Sequence, residues 1–443
     1  MKNMKYIQKI VLGLLISTSA LLFSCEFDDQ VDPNNPSIQQ LTQDASKNEL
    51  NNLVVGIESQ MRSGLGTYVT ATGTVARELY IFDADPRNTE DLLGKNGGQL
   101  DANTFYITAP YGGSYNNVKN ANILIAAVDN TTLVSEAEAN GYKGFANTIK
   151  ALQLLRVLNM LGENGVRVEV ANPDDLGPFL SQTASLTAIS DLLDVALGQL
   201  SAAGSSFPFA LSLGFVDFNT PATYSQFNRA LAARVAIYRE DWAAVSSLLN
   251  ASFYAPAGDL SVGPKHSFSN ASGDLLNALF KIPGNNGDMI IVHNSFLDDA
   301  EAEDTRVANK TEARPNATSQ DGLNGRNETS LYLTPTSFND IIRNEELVLI
   351  SAEAKLQTGD TDGAIADINV IRNAAGLPDY SGANTAAAVT DELLNQRRYS
   401  LWCEGHRMVD LRRYGRLNED NLPIDREGDQ IFQNFPIPLT EAD

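Results

Sequence analysis

Residues 396–415 read QRRYSLWCEGHRMVDLRRYG. Arg397, Leu401, Glu404 and Met408 recur at helical spacing, and so do Arg407, Asp410 and Leu411. The spacing predicts a helix on which bases and acids alternate. Such a helix ties itself to its neighbours by charge-assisted hydrogen bonds. Arg397, Glu404, Arg407, Asp410, Arg412 and Arg413 are therefore read as a structural ion-pair network rather than a catalytic cluster.

Working upstream, two segments share one plan. In the first, Phe227, Leu231, Arg234, Val235 and Tyr238 mark a helix, Arg239-Glu240-Asp241 a turn, and Trp242 to Leu249 a returning helix. In the second, Ile342, Leu349, Ala352 and Leu356 mark a helix. Gly359-Asp360 turn it, and Ala364, Ile365, Ile368 and Ile371 return. Gly359 suits a helix C-terminus, while Asp241 and Asp360 suit the following N-caps. Both units are rich in alanine, which lets antiparallel helices approach closely, and both resemble tetratricopeptide repeats. More than 100 residues separate them, so the expectation is packed helix pairs rather than a simple solenoid. Further helices are expected from about Gly144 to Leu161, stopped by Gly162 and Gly165, and along Leu192, Leu193, Ala196, Leu197 and Leu200, starting near Ser190 and Asp191. Residues 63–117, where glycine and aromatic residues interleave, and residues 253–340, rich in Asn, Asp, Gly and Pro, read as long irregular insertions.

At the other end, Lys2, Lys5 and Lys9 precede an apolar run from Ile10 to Phe23, then Ser24 and Cys25. That order describes a secretory signal peptide. The run is shorter than the ~20 apolar residues of a membrane span. Leu22-Phe23-Ser24-Cys25 resembles a bacterial lipobox, with Phe23 bulkier than the usual residue there. The resemblance implies that residues 1–24 are removed and that Cys25 is acylated; the alternative is an ordinary signal peptide with an incidental cysteine. Removal takes away three lysines and moves the formal charge from -23 to -26. So acidic a protein does not bind nucleic acid or an anionic bilayer through its charge. Attachment then falls to the lipid, where more than one acyl chain gives stable anchoring. Cys403 is the only other cysteine, so acylation of Cys25 excludes an intramolecular disulfide, and the body must be held by its core. Residues 25–47, polar and acidic with Pro33 and Pro36, read as a flexible tether.

The 396–415 block closely resembles the carboxyl-terminal signature of the SusD/RagB family of outer-membrane nutrient-binding lipoproteins. The matching positions are Arg397, Glu404-Gly405, Arg407, Asp410-Leu411-Arg412-Arg413, Tyr414 and Gly415. The chain departs at Gln396 and Ser400, where the family usually has glutamates, which puts one or two structural ion pairs in doubt. Residues 343–378 look like the family's last helical repeat, and Ala230–Arg234 with Asp241-Trp242 look like its middle one. Pro436-Ile437-Pro438 with Glu441 match its ending, and the acidic run after Cys25 resembles a surface-export signal. The resemblance implies a mainly α fold, a SusD-like scaffold of tetratricopeptide-like helix pairs with long loop insertions. It also implies one domain over residues 48–443, with the signature region at 343–443.

No enzyme motif appears. His266, His293 and His406 form no zinc pattern, and Cys403 has no nucleophile context and reads as a small buried hydrophobe. Asp298-Asp299 and Glu301/Glu303/Asp304 carry the oxygen donors of glycoside chemistry or of a structural calcium site, but with 55 acids such pairs also arise by chance. No cofactor and no metal ligand is assigned. The family resemblance implies a lipid-anchored protein of the outer membrane, facing outward. It would bind an oligosaccharide or a peptide and deliver it to a SusC-type TonB-dependent barrel transporter. The alternatives are a structural envelope lipoprotein whose repeats act as a protein-binding adaptor, and an exported hydrolase.

Glycan-binding members stack sugars on aromatic rings. Trp242 and Trp402, the two tryptophans, read as core, so candidate contacts are Tyr68, Tyr80, Phe82, Tyr106 and Tyr111, with Asp85 and Arg87 beside them. For each single ring, packing of the insertion against the scaffold is the competing role.

Metabolic labelling with a clickable palmitate analogue is expected to mark the wild-type chain and to be lost in Cys25→Ala. Equal labelling of both would sink the acylation of Cys25.

Overall fold

The computed structural model describes residues 44–441. Cys25, the signal segment 1–24 and all but the last four positions of the 25–47 tether lie outside the described residues. Those four belong to the folded body instead. The Asp44 N–H donates to Asn130 O at 3.3 Å, Ala45 is buried, and Ser46 caps the first helix in a reciprocal pair with Glu49.

The chain runs through α1 (Lys47–Gln60), α2 (Leu65–Val75), β1 (Leu79–Asp83), α3 (Phe105–Asp129) and α4 (Glu136–Leu161). Short strands β2 (Val166–Arg167) and β3 (Phe179–Leu180) lead to α5 (Gln182–Ser201), α6 (Pro221–Tyr238) and α7 (Trp242–Asn250). An irregular stretch holds β4 (Lys265–His266), β5 (Asp288–Val292), α8 (Asn294–Asp298), α9 (Thr305–Lys310), β6 (Thr311–Gln320), β7 (Leu323–Thr329) and β8 (Asn339–Asp340). Four helices close the chain: α10 (Asn344–Gln357), α11 (Thr361–Ala374), α12 (Ala386–Ser400) and α13 (Arg407–Arg413). The fold is mainly α.

The two expected helix pairs are α6–α7 and α10–α11, and α10 packs on α6, α7, α11 and α12 together. Ala230, Ala233, Ala352 and Ala364 are fully buried where these helices meet. Asp360 accepts the Gly363 N–H as an N-cap, whereas the Asp241 side chain caps nothing. The helix expected near Ser190 begins at Gln182, capped by Ser181, because Ser185, Leu186 and Ile189 extend its buried face by two turns.

Residues 63–117 are not the irregular insertion expected. They form all of α2 and β1 and the first half of α3; the longest stretch between these elements, 84–104, is turns and short 3₁₀ pieces. Their glycines serve close helix contact: a side chain at Gly113 would meet Ser63 O at 2.7 Å, and one at Gly64 would meet Ala109 O at 2.6 Å. Residues 253–340 are irregular but also carry an antiparallel sheet of order β1-β5-β7-β6. Its β6–β7 hairpin turns at Asp321-Gly322, both at positive φ, the dipeptide that suits a two-residue hairpin loop.

The signature stretch is two helices rather than one. α12 ends at Ser400, and Leu401–His406 turn with Cys403 at φ 62° and Gly405 at φ 81° before α13 begins. The break sends Trp402 into the core, fully buried, with its Nε1 donating to Glu78 O at 3.2 Å. A side chain at Gly405 would stand 2.5 Å from the Tyr68 ring.

Four of the six charges expected to form a network, Arg397, Glu404, Asp410 and Arg413, do so. Arg397 Nε donates to Asp410 Oδ2 at 2.7 Å, and Arg413 bridges Asp410 Oδ1 at 2.9 Å and Glu353 Oε1 at 2.7 Å. One helical face away, Arg234 holds both oxygens of Glu346 at 2.6 Å. Arg343 pairs with Glu404 and Glu345 and donates to Ser400 O at 2.6 Å. Arg412 reaches backbone carbonyls of Asn159 and Gln433, and Arg407 is half-buried with no ion-pair partner among the described residues. At the two departures from the family pattern, Ser400 Oγ accepts from Arg306 at 3.0 Å, and Gln396 Nε2 donates to Glu392 at 2.8 Å. Two nitrogens of Arg397 stay without a partner.

Burial works against ionisation of Asp410 and Glu346, but Arg397 with Arg413, and Arg234, override it and hold both carboxyls at about 2. Their folded values lie below their unfolded ones, so the stabilisation is present above pH ~4.5 and is lost as pH falls through about 2, at roughly 2–3 kcal/mol for each group. Chemical-denaturation midpoints should therefore drop steeply between pH 4.5 and 2, and Asp410→Asn should lower stability at pH 7 and flatten that drop. An unchanged acid profile in the variant would refute the role given to the pair.

Candidate functional site

The aromatic residues named as ligand contacts lie in the core. Tyr68, Tyr80, Phe82, Tyr106 and Tyr111 are all buried. Tyr68 on α2 donates to Gly405 O at 3.1 Å and accepts from Asn159 at 3.3 Å. Tyr80 and Phe82 share one face of β1, their rings 5.8 Å apart, and pack with Leu93, Met289, Ile291 and Leu323. Tyr106 packs on Phe435, and its hydroxyl accepts from Asp101 N at 2.6 Å and donates to Asp91 at 3.1 Å. Asp85 and Arg87 pair with each other at 2.6 Å on the surface, with the Arg87 guanidinium over the half-buried ring of Phe105. The structure does not bring these seven together. Because residues 63–117 fold largely as helices and a strand, these rings chiefly fill the space between elements.

Of these, Tyr68 lines a small pocket of about 60 Å³ and Tyr111 borders a larger groove. With Tyr115, whose ring lies 4.5 Å away, Tyr111 forms one end of this groove, of about 500 Å³ between α3 and residues 167–176. Trp402 is core as expected, whereas Trp242 is only half-buried and lines a groove of about 470 Å³ between α7 and α10, next to Tyr254.

Four of the five acids at 298–304 are engaged by arginines, and Glu303 has no such partner among the described residues. Asp298 pairs with Arg326, Asp299 with Arg398, Glu301 with Arg372 and Asp304 with Arg306.

A cleft of about 530 Å³ lies where the C-terminal half of α1, residues 210–215, β4 and the loop 269–274 meet. Helical spacing sets Val55, Glu58, Ser59 and Arg62 along one side of it. Gly214 lets residues 210–215 press against β4; a side chain there would stand 2.0 Å from Lys265 O. Arg62 organises the cleft. It pairs with Asp274 at 2.6 Å, donates to Ser267 O at 2.6 Å and lies over the Phe268 ring at 5.5 Å. Asp274 also accepts from Ser269 Oγ at 2.6 Å and from Leu275 N at 2.8 Å. Burial would raise its carboxyl, but the Arg62 and Ser269 hydrogen bonds hold it at about 2. Glu58 is shifted the other way: burial raises it more than the Ser212 N–H and Arg62 lower it. Ser267 Oγ donates to Ser212 Oγ at 2.8 Å, and no imidazole bonds to either hydroxyl.

Val55, Leu211 and Phe215 supply apolar floor between these groups. Hydroxyls, two carboxylates and a planar guanidinium around an apolar floor are equipped to bind a hydroxyl-rich molecule reversibly. Sequence reasoning marked residues 253–340, where Ser267, Ser269 and Asp274 lie, as insertion. Nothing in the local sequence singled out Glu58, Arg62 or Ser212, which meet them only through the fold.

The SusD family model matches residues 293–441, from just after β5 to the last described residue. No curated protein matches the chain. Among solved structures, it is similar to a SusD superfamily protein from Bacteroides vulgatus, at 18% identity and a TM-score of 0.66, covering 90% of this chain and 96% of that one. It is also similar to surface glycan-binding protein A from Bacteroides thetaiotaomicron in complex with laminarihexaose, at 15% identity, TM-score 0.67, and 90% and 97% of the two chains. A third similar structure, surface glycan-binding protein A from Bacteroides uniformis, stands at 15% identity, TM-score 0.63, and 84% and 88%. At such identities the likeness establishes the fold.

Arg62 is the tie that holds the 269–274 loop. Arg62→Ala should raise amide hydrogen exchange at Ala271 to Leu275 at least tenfold while the amides of α4 keep their protection. Equal exchange in both proteins would show that the loop is held by something else.

Proposed function

With a carboxyl-terminal third that matches the SusD family model and the fold of solved SusD superfamily proteins, this chain, we propose, is a surface-anchored capture protein for an oligomeric glycan. Lipid on Cys25 would keep it at the outer membrane, and a SusC-type TonB-dependent barrel would receive the bound nutrient. It catalyses no reaction in this reading; binding and release are its work.

The observation that carries the proposal is the cleft around Arg62. Its volume falls within the ~300–1,000 Å³ of small-ligand sites. Asp274, Glu58 and the serine hydroxyls provide donors and acceptors that match sugar hydroxyls, and the apolar floor suits the less polar face of a pyranose ring. The likeness over nine-tenths of the chain to proteins described as glycan-binding supports the same class of ligand. A glycan is favoured over a peptide because hydroxyls, two carboxylates and the Arg62 guanidinium surround an apolar floor, the donor and acceptor set that sugar hydroxyls match. The adaptor reading has one observation in its favour, the groove between α7 and α10 with the half-buried Trp242.

Isothermal titration calorimetry of the mature protein against a panel of oligosaccharides, laminarihexaose included, and of oligopeptides tests the ligand class. Saturable oligosaccharide binding is expected, weakened about tenfold, or ~1.4 kcal/mol, by Asp274→Ala. Binding of peptides alone would reverse the choice. Affinity purification from detergent-solubilised envelopes is expected to bring down a large barrel, and its absence would remove the transport partner.

A further inference from the structure

The groove of about 470 Å³ between α7 and α10 shares no residue with the cleft around Arg62. Helical spacing builds its two walls. Trp242, Val245, Ser246, Leu249 and Asn250 form one stripe of α7. Ser351, Ala354, Lys355 and Thr358 repeat the same spacing on α10 and the residue that ends it. Val245, Leu249 and Ala354 are buried and make the floor. Ser351 and Ala354 are small, which leaves the space above that floor open.

The turn after α7 sets the direction of the groove. Tyr254 Oη donates to Ser351 Oγ at 3.1 Å, and the Ala255 N–H donates to Asn344 Oδ1 at 2.9 Å. These bonds put the end of α7 beside the start of α10. Half-buried Tyr254 therefore stands at one end of the groove. Half-buried Trp242 stands at the other, about 12 Å up α7 from Asn250. An aromatic ring is thus placed at each end of a floor that is apolar throughout.

Lys355 is the one charged residue of the lining, and it is matched: it donates to Asp367 Oδ2 at 2.6 Å. Asp367 also accepts from Ser351 Oγ at 2.6 Å, so this network lies below the groove and holds its wall in place. In a chain of formal charge -23, the groove is a surface without an unmatched charge. It offers neutral hydrogen-bonding groups instead: the Trp242 indole N–H, the Ser246 hydroxyl and the Asn250 amide, to which no described residue bonds. Ser246 and Asn250 are exposed, so a ligand reaches them from solvent. The other tryptophan is in the opposite situation, since Trp402 is fully buried and bonded through Nε1 to Glu78 O.

We propose that the groove is a second saccharide site, and that the sugar it takes is neutral. The apolar face of a pyranose ring lies on Trp242, while the indole N–H, Ser246 and Asn250 meet the hydroxyls at its edge. Tyr254 bounds the far end. A uronate or a peptide terminus would bring a charge for which no unmatched partner stands in the lining, and desolvating it would weaken binding. This assignment rests on a glycan as the class of ligand and adds a contact that is independent of Arg62 and Asp274. Two sites on one chain raise the avidity for a polymer long enough to reach both, while a short oligomer occupies each separately.

Trp242 supplies its own readout. With Trp402 in the core, acrylamide quenching of tryptophan emission reports on Trp242. The mature chain carrying Cys25→Ala is titrated with neutral hexasaccharides of glucose, mannose and xylose, laminarihexaose among them, and with oligopeptides. A saturable, at least twofold fall in the quenching constant is expected with a sugar. It is expected to persist in Asp274→Ala and to be lost in Ser246→Tyr, where a ring added at an exposed position blocks the groove without entering the core. Calorimetry is expected to count two sugar sites per chain, and one in Trp242→Ala. Should that variant fail to fold, Ser246→Tyr gives the same count. Sugar binding with unchanged quenching would overturn the second site and leave the cleft standing. Protection that Asp274→Ala abolishes would overturn it too, because Trp242 would then be reporting the cleft. A single sugar site that protects Trp242 and ignores Asp274→Ala would support the groove and remove the cleft. Protection by peptides and by no sugar would overturn the proposal in favour of an adaptor, and failure of every hexasaccharide to bind would overturn both sites.

Discussion

The carboxylates of Glu346 and Glu353 lie seven residues apart on one face of α10, and both are buried. A buried carboxylate must be matched by a cation with its hydrogen bonds in place, or folding stalls on the desolvation penalty. Each of the two is matched from a different part of the chain, Glu346 by Arg234 of α6 and Glu353 by Arg413 of α13. Arg413 also grips Asp410, which grips Arg397 of α12. This chain of alternating charge sets the register of α10 against three other helices. Everything that packs on α10, including the α7 and α11 partners of the two helix pairs, takes its position from that register.

The break between α12 and α13 joins the carboxyl-terminal network to the amino-terminal half. Left-handed Cys403 and Gly405 turn the chain so that Trp402 enters the core and bonds to Glu78 O, while Gly405 O accepts from Tyr68 on α2. A straight helix through 396–415 would keep its charges in line but would leave Trp402 on a face where no such partner waits. The turn also brings Glu404 and His406 to a small pocket that Arg156 of α4 also lines. The signature is therefore structural in its charges, and it also supplies Glu404 and His406 to the lining of that pocket.

Much of the scaffold was legible in the sequence because helices declare themselves locally. The alanine-rich pairs around Asp241 and Gly359 fold as the spacing required. The reading failed where a residue's role depended on its distant neighbours. Glycine and aromatic residues over 63–117 have the composition of an insertion, yet Gly64 and Gly113 are there so that α2 and α3 can touch, and the rings beside them fill the contact. Tyr68, Tyr80 and Phe82 were thus placed on the surface by composition and in the core by packing.

The sequence by itself determined the helical scaffold, the pairing of its repeats and the presence of a buried charge network, since periodicity, turn residues and alternating charge act over a few residues. It also carried the acid excess that leaves charge-driven binding of polyanions without a basis. Only the tertiary structure decided where a ligand has room. Arg62 meets Asp274 across 212 positions, and His266 stands beside Arg156, because separate elements converge there. Whether an arginine is a surface charge, a structural pair or an unmatched buried cation depends on which carboxylates share its space. That is a property of the packed fold, and no local pattern records it.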